Sequence, residues 1–233
     1  MPSPPSREDP KRYPETSRPL DASLRQVLAD RLEDHRRRVL AQGELRRAAV
    51  ALVVVAADPQ VEADESLEGA GEAAVVLTRR AASLSQHSGQ FALPGGRLDP
   101  GETVVEAALR ELHEEVGLEL GEEAVLGLLD DFVTRSGYHL TPVVVWGEGA
   151  GTMQPNPAEV AEVYRVPLER LADPTARHSI ELHPADPPSF ALEIVGTLVF
   201  APTAAILLQL GEVAVYGRFT PVANYGQPRF PWV

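Results

Sequence analysis

Arg110, Glu111, Glu114 and Glu115 fall within six consecutive residues, and three of the four are acidic. At about 100° per residue on a helix, Glu114 sits roughly 60° to one side of Glu111 and Glu115 roughly 40° to the other. Like charges at that spacing destabilise a helix by a few tenths of a kcal/mol per pair unless something neutralises them. A hard divalent cation with oxygen ligands is a natural neutraliser, and Mg²⁺ or Mn²⁺ suits carboxylates better than a soft-ligand metal. A solvated acidic helix face is the other reading of such a cluster. Arg110 has a planar guanidinium fork that can orient two carboxylates. It could equally pair along the helix with Glu106 or Glu114.

The surrounding residues supply the helix that the cluster requires. Pro100-Gly101 is a turn signal, and Thr103 followed three residues later by Glu106 is a capping box. Val105, Ala108, Leu109, Leu112 and Val116 then recur at helical spacing and predict one buried face, with the charged residues turned away from it. Gly117 is placed to end the helix in a left-handed conformation.

Written as a pattern, Gly96 to Leu118 reads Gly-x5-Glu-x7-Arg-Glu-Leu-x-Glu-Glu-x-Gly-Leu. This resembles the signature of the Nudix hydrolases, with every position filled. The resemblance implies a Nudix-type α/β/α sandwich with a mixed sheet and a central catalytic helix. It also implies that Glu111, Glu114 and Glu115 bind metal, with the Gly96 carbonyl as a further ligand. The reaction implied is attack of water on a diphosphate linkage, with a glutamate as general base. Glu115 is the first choice for that base within the motif, and Glu159 is the candidate outside it.

A second resemblance bears on the substrate. Leu77-Thr78-Arg79-Arg80-Ala81, Leu84, His87-Ser88-Gly89-Gln90 and Pro94-Gly95-Gly96 are similar to the motif of the coenzyme A pyrophosphatase branch. Ser85 stands where that branch commonly has Arg, and Leu93 where it has Phe. Residues 137–144 and 155–160 also resemble it, whereas Phe200-Ala201 replaces its Trp-Gly. The likeness implies cleavage of coenzyme A or acyl-coenzyme A to 3′,5′-ADP and 4′-phosphopantetheine or its acyl form. Arg79, Arg80 and Arg97 are then candidates to contact the diphosphate oxygens or the 3′-phosphate of coenzyme A, and each could equally be a surface arginine. His87 is a candidate phosphate contact or proton carrier, or a structural loop histidine. Gly89, Gly95 and Gly96 permit tight turns near the metal. Other Nudix substrates, such as ADP-ribose, a nucleotide sugar or a dinucleoside polyphosphate, and a non-catalytic ligand-binding role are the alternatives.

Composition narrows the classes. The 233 residues carry a formal charge of −13 and no cysteine. Disulfides and thiolate metal sites are therefore excluded, and a nucleic-acid surface, which needs a basic patch, is disfavoured. No apolar run reaches membrane-spanning length and the N-terminus lacks a signal-peptide core, so a soluble cytoplasmic protein, with homodimerisation as a family habit, is expected. Residues 1–19 are Pro-rich and read as a disordered or extended tail, and residues 20–233 as one domain. Leu20 to Leu40 is expected to be an amphipathic helix, and Pro59 to Gly71 an acidic surface loop. Strands are expected over Ala48 to Ala57, Ala74 to Thr78, Ala124 to Thr134, His139 to Trp146 and Phe190 to Ile194. Short helices are expected over Val166 to Leu171 and Thr203 to Leu210.

Overall fold

The structure is a computed structural model that describes residues 18–41, 43, 45–57, 72–82, 89–149, 151–182 and 188–228. Most of the expected tail, the loop from Pro59 to Gly71, and His87 lie outside the described residues.

The centre of the fold is β1 (Arg46–Ala56), a near-continuous aliphatic strand. Such a run has no polar face to give to water, so both sides must be covered by other elements. Ala48, Val50, Leu52 and Val54 face one core, and Ala49, Ala51, Val53 and Val55 face a second. The first core is closed by α1 (Ala22–Asp34) and α3 (Thr203–Gln209), the latter continuing as a π-helical turn over Leu210–Val215. The second is closed by α2 (Val104–Val116). Two helical layers about one sheet make the α/β/α arrangement.

Beside β1 run β2 (Ala73–Arg80), antiparallel, and β7 (Tyr138–Trp146), parallel. The sheet is therefore mixed. It is completed by β3 (Phe91–Ala92), β4 (Gly95–Arg97), β5 (Val125–Leu128), β6 (Phe132–Val133) and β8 (Val160–Pro167). The ladder between β1 and β2 spans only Val54–Ala56 against Ala73–Val75. Below it the two strands part. Thr78 and Arg79 pair with Ala92 and Phe91 of β3, while Ala48–Val50 pair with Arg97–Gly95 of β4. That short segment carries the glycines into the gap at the foot of α2.

The structure corrects several sequence expectations. The helix read over Leu20–Leu40 stops at Asp34, and residues 35–40 form neither helix nor strand. They are held there because Asp130 and Asp131, both about 1% exposed, accept bonds from them. Asp130 accepts from the Arg38 N–H at 2.9 Å and sits 2.9 Å from His35 Nε2, and Asp131 accepts from the Leu40 N–H at 3.0 Å. The same pair breaks the expected strand over Ala124–Thr134 into β5 and β6. The short helix expected from Val166 starts at Leu168, as a 3-10 turn over Leu168–Ala172. The residues before it form β8, whose polar alternation hides a strand paired along most of β2. A second, three-stranded sheet of β9 (Arg177–Ile180), β10 (Ser189–Ile194) and β11 (Thr197–Phe200) extends the single strand expected at Phe190.

Candidate active site

The site is built on α2. Thr103 caps it as expected, with its hydroxyl accepting from the Glu106 N–H and the Glu106 carboxylate accepting from the Thr103 N–H. A cap of this kind contributes about 1 kcal/mol. Gly117 closes the helix at φ 75°, donating to the His113 carbonyl, and a Cβ there would meet Gln154 O at 2.8 Å. The helix is thus capped at both ends.

Arg110 is the hub of the acidic face. Nε and Nη2 grip Glu102 at 2.9 and 3.2 Å, Nη1 reaches Glu111 at 2.9 Å and Glu114 at 3.1 Å, and Nη2 also donates to the Arg97 carbonyl at 3.0 Å. The bidentate grip makes Glu102 an anchor for the arginine. Arg110 therefore joins the loop that begins the motif to the carboxylates on the helix. Glu114 is half-exposed and turned toward Arg110.

Glu115 departs from the expected geometry. Its residue is only 3% exposed, so it does not lie away from the apolar face as the sequence reading placed it. The physical reason is helical phase: position 115 is seven residues from buried Ala108 and three from buried Leu112, which puts it on the core stripe. Burial pushes its carboxyl up to about 8. Arg80 and the Gly95 N–H oppose that rise, and the neighbouring charges of Glu111 and Glu159 add to it. Arg80 Nη1 stands 3.7 Å from Glu115 Oε1. Burial also raises Glu111, against the pull of Arg110, and Glu114 and Glu159 again add to the rise.

Glu159 reaches this patch through the loop between β7 and β8, which packs against the C-terminal end of α2. The Asn156 N–H donates to the Glu115 carbonyl at 2.9 Å, and the Gln154 N–H to the Val116 carbonyl at 2.8 Å. The loop is thereby tied to the open end of the helix, where carbonyls lack helical partners. Asn156 Nδ2 lies 3.4 Å from Glu159 Oε1, and the Glu159 carbonyl accepts from the Ala81 N–H at 2.8 Å. Asn156 and Ala81 are positioning residues that sequence reasoning passed over, although both sit inside the stretches likened to the coenzyme A branch. Thr78, also from that stretch, is buried and donates to the Ala92 carbonyl at 3.0 Å, fixing β3 against β2.

The three candidate arginines separate. Arg80 faces Glu115. Arg79, one residue earlier on the same strand, points to the other side of the sheet and pairs with Glu162, which also accepts from Tyr164. Arg97 likewise turns away from α2, and its Nε donates to the Tyr138 hydroxyl at 2.8 Å. Gly89 lies where the chain returns to β2, at φ 69°, with its N–H donating to the Arg80 carbonyl at 3.2 Å. Gly96 supplies space: a Cβ there would sit 2.1 Å from Glu111 Oε1.

Among the described residues, no three Asp, Glu or His side chains are gathered into a finished ligand cage. The donors nevertheless suit a hard cation. Glu111 and Glu115 are desolvated, Glu159 adds a third negative charge, and Arg110 is shared with Glu102 and Glu114. Such a group of oxygens is short of positive charge.

Comparison with known proteins gives the family. The NUDIX domain family matches residues 46–185, more than half of the chain. The chain belongs to the Nudix family. An uncharacterised Nudix hydrolase, NudL of Yersinia pestis, is 38% identical over 113 residues, covering 48% of this chain and 57% of that protein. The NudL of Yersinia pseudotuberculosis matches to the same extent. The match thus spans little more than half the length of these relatives. Among solved structures, a MutT/nudix family protein from Enterococcus faecalis has a TM-score of 0.48 at 16% identity, over 76% of this chain and 65% of that one. The Nudix hydrolase RenU of M. smegmatis has a TM-score of 0.44 at 26% identity, over 76% and 89%.

Proposed function

We propose that this Nudix chain is a divalent-metal-dependent diphosphatase that hydrolyses coenzyme A or acyl-coenzyme A to 3′,5′-ADP and the corresponding 4′-phosphopantetheine. The observation that carries the reaction class is the pair of desolvated glutamates, Glu111 and Glu115, facing Glu159 beside an Arg110 already committed to Glu102. The substrate is supported by the likeness of residues 77–90 to the coenzyme A branch.

Glu111 and Glu115, with Glu114 and the Gly96 carbonyl, are the proposed ligands of Mg²⁺ or Mn²⁺. When bound, the cation polarises the phosphoryl oxygens and lowers the pKa of an attacking water. The protein's own groups do the rest. Arg110 holds Glu111 and Glu114 to one side of the helix, so that they need not be reordered for each turnover. Arg80 stands beside Glu115 to meet the diphosphate oxygens. Glu159 takes the proton of the attacking water while the bridging P–O bond breaks and its electron pair leaves with the departing phosphate. The burial of Glu115 favours the ligand role over the base role first read from the sequence. Gly89 and His87 are proposed as further substrate contacts.

Incubating the protein and Mg²⁺ with coenzyme A, acetyl-coenzyme A, ADP-ribose, a nucleotide sugar and a dinucleoside polyphosphate tests the proposal. Release of 3′,5′-ADP from coenzyme A is the expected result. Preferential hydrolysis of ADP-ribose with coenzyme A left intact would refute the substrate assignment.

A further inference from the structure

Arg46 and Arg97 both approach the ring of Tyr138. The guanidinium carbon of Arg46 lies 4.2 Å from the ring centroid and that of Arg97 lies 5.4 Å away. Arg97 also donates to the Tyr138 hydroxyl at 2.8 Å, and Arg46 donates to the Ser136 carbonyl at 2.9 Å. The β-ladders fix the group: Arg46 is opposite Tyr138, and Ala48 is opposite Arg97. Both arginines are exposed. Among the described residues neither has a carboxylate partner, although the chain carries a net charge of −13. Two cations held on one aromatic ring repel each other, and a cation–π contact returns only about 0.5–1 kcal/mol at an exposed site. An arrangement of this kind is matched by a dianion.

Its position relates it to the glutamates. Gly96 faces Glu111, while Arg97, one residue and about 3.8 Å further along, faces the opposite side of β4. Among the described residues β4 pairs only with β1, and its other edge meets α2, where Gly95 bonds Glu115 through its N–H. Arg110 spans the same edge by holding the Arg97 carbonyl. The two arginines are therefore too far round the strand to clamp phosphoryl oxygens seated at Glu111 and Glu115. They are well placed for a second anionic group on the same molecule.

We propose that Arg46 and Arg97, aligned by Tyr138, bind a phosphate monoester that the substrate carries in addition to its diphosphate. A phosphate monoester near neutral pH carries a charge of about −1.5 to −2, and guanidinium forks meet its oxygens in pairs. The inference rests on the diphosphatase reading above and sharpens it: the enzyme selects nucleoside diphosphate derivatives with an additional phosphate on the ribose.

The test compares kcat/KM for coenzyme A and for 3′-dephospho-coenzyme A in the wild type, Arg46→Gln, and the double variant Arg46→Gln/Arg97→Gln. Circular dichroism and thermal melting check the fold of each. The wild type should prefer coenzyme A, and the preference should fall about tenfold in the single variant and about a hundredfold in the double. Metal-free calorimetry with 3′,5′-ADP and 5′-AMP should show the same loss of discrimination. Equal turnover of the two compounds by the wild type, or a ratio unmoved by the substitutions, overturns the inference while leaving the diphosphatase reading intact. If the wild type hydrolyses neither compound, the coenzyme A assignment fails by itself. The same ratio is then read on 2′-phospho-ADP-ribose against ADP-ribose, where an unmoved ratio overturns the inference.

Discussion

Arg80 Nη1 stands 3.7 Å from Glu115 Oε1, beyond hydrogen-bond reach, although Glu115 is among the most deeply buried ionisable groups of the chain. The cation lies near enough to attract the carboxylate and too far to satisfy it. Glu115 is consequently left with its charge disfavoured, as a group awaiting a closer cation would be.

The metal-free protein should therefore lose stability as pH rises. The folded-state pKa of Glu115, about 8, is above the ordinary glutamate value of 4.5. Between those values the unfolded chain releases a proton that the folded chain keeps, so the favourable contribution is full below about 4.5 and gone above about 8. Melting temperatures in EDTA should fall across that window. Glu115→Gln should flatten the curve, and an equally steep decline in that variant would count against the assignment.

With Mg²⁺ present the same substitution should act on turnover. Glu115→Gln and Glu111→Gln should each lower kcat by about 10²–10⁴-fold with the fold retained. Near wild-type rates in both would remove these residues from the site. Glu159→Gln should likewise lower kcat by orders of magnitude, and a near wild-type rate would exclude it as the base.

The two neighbouring glycines should fail differently. A Cβ on Gly95 would come within 2.4 Å of the Ala49 carbonyl, which is backbone and cannot yield, so Gly95→Ala should lower the melting temperature. A Cβ on Gly96 meets the end of the Glu111 side chain instead. Gly96→Ala should keep most of the stability and lose at least about tenfold in Mg²⁺ affinity as Glu111 is displaced. Parallel melting and metal titration separate the two outcomes.

Asp131 should govern acid stability. Burial works to raise its pKa, but the Leu40 N–H, His139, Thr141 and Arg37 outweigh it and hold the carboxyl below the usual aspartate range. Its contribution is present above pH 4 and lost as pH falls through the lowered value. Asp131→Asn should cost about 3–5 kcal/mol at neutral pH, because it leaves buried partners of a charge uncompensated. Denaturant midpoints of wild type and variant should differ at pH 7 and draw together as the pH falls through the lowered value.

Much of this was legible in the sequence because it is local. The capping box, Gly117 and the apolar spacing of α2 depend on residues a few positions apart, and they define the helix that carries Arg110, Glu111 and Glu114. Strand β1 was legible because a Val- and Ala-rich run can only be buried on both faces. The burial of Glu115 was available from its seven-residue spacing to Ala108, but its chemical type pointed to solvent. Strand β8 was hidden by Glu162, Tyr164 and Arg165, which are polar because that edge is half-exposed.

By itself the sequence determined the family, the α2 helix and the carboxylates it carries, since each follows from short-range order along the chain. Only the tertiary structure decided which side of the sheet each arginine serves. Arg79 and Arg80 are one peptide apart, as are Gly96 and Arg97, and strand alternation sends each pair to opposite faces. What meets them there, Glu162, Glu115, Glu111 or Tyr138, comes from distant parts of the chain, and only the pairing of strands brings it into contact.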